Sequence, residues 1–246
     1  MTKKLLTGLA AALFLAVSSS AYATIALPEQ DAPNYEPGID GSQWGQQAPI
    51  GWNAEGEADL PAVGGTSIES VKFEDQPTYN GGFLFIPPDP HCAVGPNHII
   101  TVVNCTIQWY AKTGGAAQNI QPLGKQVTTI TNSFFNSLNP VNALFDPKVI
   151  YDQYNGRFIV VALEQVASPN SSRVLFAVSD DNDPNGTWYF HSLNTMQVIS
   201  AQNAWLDYPG LACDGSFIYL TGNYFNFAGT SGFGSRLWIL NKAPFY

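Results

Sequence analysis

The chain has 246 residues, 45% of them hydrophobic, which is enough apolar material for a substantial core. Its 10 Lys and Arg stand against 19 Asp and Glu, a net charge of −9. A field of that sign repels phosphate backbones and excludes nucleic acid as a natural partner, while leaving cations, neutral glycans and protein surfaces open.

The first segment reads as a secretion signal. Lys3 and Lys4 form a basic head, residues 5–17 are apolar, and Ala21-Tyr22-Ala23 fits a small-x-small cleavage site. Residues 1–23 are therefore expected to be a signal peptide and the chain to be secreted, extracellular or periplasmic. The apolar run falls short of the roughly 20 residues that cross a bilayer, and no later segment is long and apolar enough to do so. Residues 24–72 carry Pro28, Pro33, Pro37, Pro49 and Pro61 among Gly, Gln and acidic side chains, with little apolar periodicity. This composition predicts an extended leader or linker, with Trp44 and Trp52 available either to dock on the folded body or to stay exposed.

From residue 73 onward, short runs rich in Val, Ile, Tyr, Phe and Trp alternate with Gly, Pro, Asn and Asp turns, the signature of strands. Strands are expected at 99–103, 107–110, 148–151, 158–163, 174–179, 188–192, 217–221 and 237–241, with no helix. The run 158–163 is almost continuously apolar, so that strand should be covered on both faces. Asn155-Gly156 and Asp214-Gly215 suit two-residue hairpin turns with positive φ. The pattern also repeats. Asp89-Pro90, Asp146-Pro147 and Asp207-Tyr208-Pro209 open three units 57 and 61 residues apart, each followed by strand, turn, strand, loop and strand. One small sheet cannot bury both faces, so neighbouring units must stack. An all-β, β-propeller-like array of antiparallel blades over residues 73–246 follows, with a β-sandwich as the alternative.

The stretch Pro87-Pro88-Asp89-Pro90-His91-Cys92-Ala93-Val94-Gly95-Pro96-Asn97-His98 resembles a group of secreted bacterial β-propeller proteins, mostly without assigned function. Asp146-Pro147-Lys148-Val149-Ile150-Tyr151-Asp152-Gln153, Asp183-Pro184-Asn185-Gly186-Thr187-Trp188 and Asp207-Tyr208-Pro209-Gly210 resemble the same group. The resemblance covers about residues 83–225 and implies a propeller fold and an extracellular setting; it supplies no catalytic residues. Gly is usual in that group where Cys92 stands. Propellers close with about four to eight blades, whereas three units and part of another are visible. Either the chain is the first part of a larger propeller, the favoured expectation, or its open edges pair with another chain.

Three groups of residues could carry chemistry. Asp181, Asp183 and Asn185, followed by Gly186, match the first half of a calcium loop. The twelfth position, however, is Ser192, and Pro184 stiffens the middle, so a polar turn competes with calcium as the only cofactor in view. Asp89, Asp146, Asp152 and Asp207 could supply the paired carboxylates of a polysaccharide-acting enzyme. Their recurrence beside Pro favours a structural role in each unit. Trp205, Tyr208, Tyr224 and Phe225 form the best candidate patch for a carbohydrate or a cell-surface protein, since sugar C–H faces pack on aromatic rings. No Gly-x-Ser-x-Gly elbow occurs, and three arginines, Arg157, Arg173 and Arg236, make sialidase chemistry a poor fit. His91, His98 and His191 read as hydrogen-bonded packing residues. Cys92 and Cys105 flank one expected hairpin and are the natural disulfide pair in an oxidising compartment, with Cys213 a buried thiol. The balance favours a binding module, with an enzyme or a structural envelope component as alternatives.

Overall fold

A computed structural model describes residues 70–71, 76–80, 87–124 and 133–246. The expected signal peptide, nearly all of the leader, and Trp44 and Trp52 lie outside the described residues. Among the described residues, twelve strands fall into three four-stranded antiparallel sheets. Sheet 1 contains β1 (His91–Val94), β2 (His98–Val103), β3 (Thr106–Ala111) and β4 (Asn119–Pro122). Sheet 2 contains β5 (Leu144–Asp152), β6 (Arg157–Ala167), β7 (Asn170–Ser179) and β8 (Trp188–Asn194). Sheet 3 contains β9 (Gln197–Ile199), β10 (Gln202–Cys213), β11 (Phe217–Asn226) and β12 (Gly232–Asn241). Each sheet is a simple meander in chain order, and β5 packs beside β1 on one side and β10 on the other. The fold is all-β and propeller-like, as the repeat predicts. Three sheets stacked in succession do not match the two layers of a sandwich.

β6 shows why the sheets stack. Phe158, Val160 and Ala162 pack toward sheet 1, against Ile100, Val102 and Trp109. The alternate residues Ile159, Val161 and Leu163 pack toward sheet 3, against Leu206, Ile218 and Leu220. Successive side chains of a strand point to opposite faces, so an unbroken apolar run is stable only between two neighbours. All six residues are essentially inaccessible to water.

Several details depart from expectation. A five-residue helix, α1 (Gln76–Asn80), is present where none was expected. Strands β1, β4 and β9 and the first part of β10 were not anticipated, because Pro, Gly and polar residues interrupt their apolar pattern; the end of β10 was implied by the hairpin expected at Asp214-Gly215. Gly156 does adopt positive φ (68°), but the β5–β6 turn holds four residues, since Asp152 pairs directly with Arg157. The β10–β11 turn holds three residues, Asp214, Gly215 and Ser216, where two were expected, and Gly215 is not left-handed. Instead the Asp214 carboxylate accepts the N–H groups of Ser216 and Phe217 at 2.7 and 2.8 Å. The Cys92–Cys105 bond is not formed, and Cys92 is an exposed free thiol. Cys92 stands opposite Thr101, and Cys105 lies four residues farther on, about 13 Å at 3.3 Å per residue, beyond the roughly 7 Å a disulfide spans.

Candidate functional site

The Asp-Pro repeat is a repeated β-bulge. In sheet 2, Phe145 pairs with Leu163 and Lys148 with Val161, so Asp146 and Pro147 together face Ala162. In sheet 3, Asp207 pairs with Asn223 and Gly210 with Thr221, so Tyr208 and Pro209 face Gly222. In sheet 1, the Asn104 N–H donates to the Pro88 carbonyl at 2.8 Å while His91 is already opposite Val102. Asp89 and Pro90 therefore face Val103. The residue before proline in each bulge, Asp89, Asp146 or Tyr208, has φ of 47°. That left-handed backbone is uncommon outside glycine, and bulges of this kind re-aim side chains. The structural repeat thus aligns Tyr208, not Asp207, with Asp89 and Asp146.

Hydrogen bonds tie one bulge to the next. Asn104 Nδ2 donates to Asp89 Oδ2 at 2.7 Å, and Asn104 Oδ1 accepts the Asp146 N–H at 2.6 Å. Asp146 Oδ2 in turn accepts the Tyr208 N–H at 3.2 Å. Three carboxylates, Asp89, Asp146 and Asp207, come into electrostatic contact where β1, β5 and β10 meet. Burial, then the negative charges of Asp207 and Asp89, push the Asp146 carboxyl up to about 7. Burial raises Asp207 as well. The two carboxyl groups stand within hydrogen-bond contact, so that one proton held between them relieves their mutual repulsion.

Around this cluster stand His91, Lys148 and Tyr208. His91 Nδ1 accepts the Val149 N–H at 3.3 Å. Burial and the nearby Lys148 charge lower its affinity for a second proton. The Lys148 ammonium sits 4.6 Å from the centre of the Tyr208 ring, which is 52% exposed. The exposed ring is thus held against Lys148 by a residue whose own N–H is bonded to Asp146.

The other anticipated residues fall elsewhere. Tyr224 is 1% exposed and its hydroxyl donates to the Thr195 carbonyl at 2.6 Å, so it belongs to the core between sheets 2 and 3 and not to a surface patch. Trp205 and Phe225 pair across β10 and β11 with rings 6.0 Å apart. The Trp205 indole packs edge-on against Phe145 and donates to the Asn226 carbonyl, which makes the pair a half-buried flank of the bulge.

The loop between β7 and β8 is a chain of turns. Asp181 Oδ1 accepts the Asp183 N–H at 2.7 Å, and Asp183 Oδ1 accepts the Asn185 N–H at 2.9 Å. Asn185 Oδ1 is engaged by Trp109 Nε1 at 2.9 Å, which anchors the loop to sheet 1. Among the described residues, no three His, Cys, Asp or Glu side chains are grouped to hold a metal ion.

Asp152 is separate from the other three aspartates. It is fully buried, receives the Lys242 ammonium at 2.6 Å, and accepts a further bond from the Tyr246 hydroxyl. Burial alone would raise it, but these partners hold its carboxyl below the usual range. His98 is buried, with Nε2 3.6 Å from Asp183 Oδ1, and His191 lies against the Phe245 ring. Sequence reasoning missed Asn104 and Lys148, the polar partners of the cluster. Asn104 lies in no motif, and Lys148, although inside the Asp146–Gln153 stretch, carries no signal of its own; their places beside the bulges become visible only with the strand register.

No protein-family profile matches the chain, and no curated protein does. Two solved structures are similar over 62% of this chain and 52% of theirs. One is an exo-1,5-alpha-L-arabinanase from a bovine ruminal metagenomic library, at 11% identity and a TM-score of 0.37. The other is a GH43 endo-arabinanase from Bacillus licheniformis, at 12% identity and a TM-score of 0.35. The chain spans about half the length of each.

Proposed function

We propose that this chain is a secreted binding protein whose ligand is a neutral glycan, free or displayed on a cell surface, held where the three bulges converge. The observation that carries the reading is the break in the repeat. Two bulges present aspartate at the left-handed position and the third presents Tyr208, with its ring exposed beside the Asp146–Asp207 pair. An aromatic face for sugar C–H groups, next to carboxyl groups for hydroxyls, is a suitable combination for carbohydrate. The acidic surface disfavours uronic-acid polymers on charge.

Binding is preferred to hydrolysis for a geometric reason. Glycoside-cleaving carboxyl pairs stand about 5–5.5 or 6.5–9.5 Å apart, whereas Asp146 and Asp207 are in direct hydrogen-bond contact. Calorimetry against a panel of neutral oligosaccharides tests the proposal. Saturable binding that Tyr208→Ala abolishes without lowering the melting temperature is the expected result. Release of reducing ends from a polysaccharide, lost on replacing Asp89, Asp146 or Asp207, would establish an enzyme instead.

A further inference from the structure

Three side chains from distant parts of the chain meet at the β5–β6 turn. Asp152 ends β5, Asn155 lies in the turn itself, and Lys242 directly follows β12. Lys242 Nζ donates to Asp152 Oδ2 at 2.6 Å and to Asn155 Oδ1 at 3.4 Å. Lysine is seldom fully buried, yet Lys242 is 3% exposed and Asp152 0%. The rings of Tyr154 and Tyr246 have their centres 5.3 and 5.7 Å from the ammonium, and the Cys213 thiol touches both charged groups. An ion pair needs only the lysine and the aspartate. The third group is a carboxamide, an electrophile set beside a primary amine, with a carboxylate in reach of the amine's protons. Asn155 is exposed on its turn, so its side chain is free to close the remaining distance to Nζ. The backbone nucleophile that could compete for the carboxamide, the Gly156 nitrogen, is engaged instead in donating to the Asp152 carbonyl at 2.8 Å.

We propose that Lys242 and Asn155 become joined by an isopeptide bond that the folded chain forms by itself, with Asp152 as the base. Asp152 is held in the ionised form that a base requires, and it takes a proton from the Lys242 ammonium. The freed amine attacks Asn155 Cγ; the Nζ–Cγ bond forms and the Cγ–Nδ2 bond breaks. Nδ2 gains one proton from the attacking nitrogen and a second from Asp152, and leaves as ammonium ion. No oxidant, reductant or cofactor enters the balance. The ionised Asp152 carboxylate is not itself open to attack, which leaves the neutral carboxamide as the acyl group. One turnover is enough, and groups fixed side by side react far faster than the same groups free in solution. Before the bond forms, the three groups make the ion pair described above; afterwards the new amide N–H takes the place of the ammonium at Asp152. The link fastens sheet 2 to the end of sheet 3 across 87 residues, in a chain whose three cysteines are all free.

Tryptic mass mapping of the purified, folded chain, sampled over hours to days, is the test. In the unlinked chain trypsin releases residues 149–157 as a separate peptide and cuts after Lys242. The expected result is one branched species that joins residues 149–157 to the peptide starting at residue 237 and running uncut past Lys242, lighter than the two together by one ammonia. Fragmentation should place the junction between Asn155 and Lys242. Linkage should speed up between about pH 6 and pH 8, because the amine must lose its proton before it attacks. Asn155→Ala, a change at an exposed turn position, should fold and stay unlinked, and Asp152→Asn should stay unlinked although both reacting groups remain. Where Asp152→Asn does not fold, the wild-type map and its pH dependence decide. Complete cleavage after Lys242 at every time point would overturn the proposal. So would loss of ammonia confined to residues 149–157, which marks cyclisation at Asn155-Gly156, or a linked species lighter by water, which marks attack on Asp152.

Discussion

The carboxyl pair at the bulges makes a quantitative claim about pH. Asp146 has an ordinary value of 3.8 and is pushed up to about 7 by burial and by the charges of Asp207 and Asp89. Between those values the folded chain holds a proton that the unfolded chain releases. Its contribution to stability is therefore complete below pH 3.8 and is lost as pH rises toward 7. Full loss amounts to about 4 kcal/mol, and the part lost between pH 5 and pH 8 is about 3 kcal/mol. Asp207, also raised by burial, acts in the same direction. His91, held low by burial and by Lys148, acts oppositely, losing stability as pH falls. The clean comparison is thus with Asp146→Asn, whose amide can still accept the Tyr208 N–H and donate to Asp207 but does not titrate. Urea unfolding at pH 5 and pH 8 should show the wild-type midpoint falling by about 1 M more than that of the variant, for a slope of about 2–3 kcal/mol per molar. The variant should be the more stable protein at pH 8. Parallel midpoints for the two proteins across this range would refute the proton-sharing pair.

Lys242→Ala should destabilise the fold by about 3 kcal/mol, because it leaves Asp152 charged and buried with the Tyr246 hydroxyl, the Tyr154 N–H and the Cys213 thiol but no cation for partners; denaturant titration at pH 7 measures this, and a loss below about 1 kcal/mol would show the pair to be solvated. Asn185→Leu should cost about 1–2 kcal/mol through the orphaned Trp109 indole N–H. Melting curves in calcium and in chelator should coincide for wild type, since the oxygens of Asp181, Asp183 and Asn185 already accept bonds within the protein. An upward shift with calcium would assign that loop to metal binding.

The strands that sequence alone identified are those whose alternation is decided by apolar burial. β3, β6 and β7 were legible because both their faces are covered, and β2 because one is. β10 was hidden because its twelve residues include the Tyr208-Pro209 bulge, where the inward–outward alternation changes phase. Ala204 and Leu206 face the core before it, Leu211 and Cys213 after it. The phase change is the reason a periodicity search fails there, and the bulge is also the feature that builds the site. The Asp-Pro spacing revealed that something repeats, but not that Asn104 links the first bulge to the second, nor that Asp207 lies one residue out of register with Asp89 and Asp146. Those facts depend on which residues stand opposite each other across strands. Asp152, chosen with the other aspartates by chemistry, belongs to a buried ion pair 90 residues along the chain from its partner.

Two explanations compete for the bulges, a mechanical one and a functional one, and Tyr208 separates them. A left-handed backbone suits Asn and Asp better than Tyr, because a short polar side chain can hydrogen-bond locally. If the position served only to turn β10 beside β5, tyrosine would be a poor choice, and Tyr208→Asn should stabilise the chain while leaving every property of its surface intact. The exposed ring, set over Lys148, argues for a second requirement. Tyr208→Asn should accordingly raise the melting temperature slightly, by the roughly 1 kcal/mol of backbone strain it relieves, and weaken oligosaccharide binding by tenfold or more in calorimetry. Stabilisation with affinity unchanged would make all three bulges purely mechanical and move the binding surface to the Trp205–Phe225 flank.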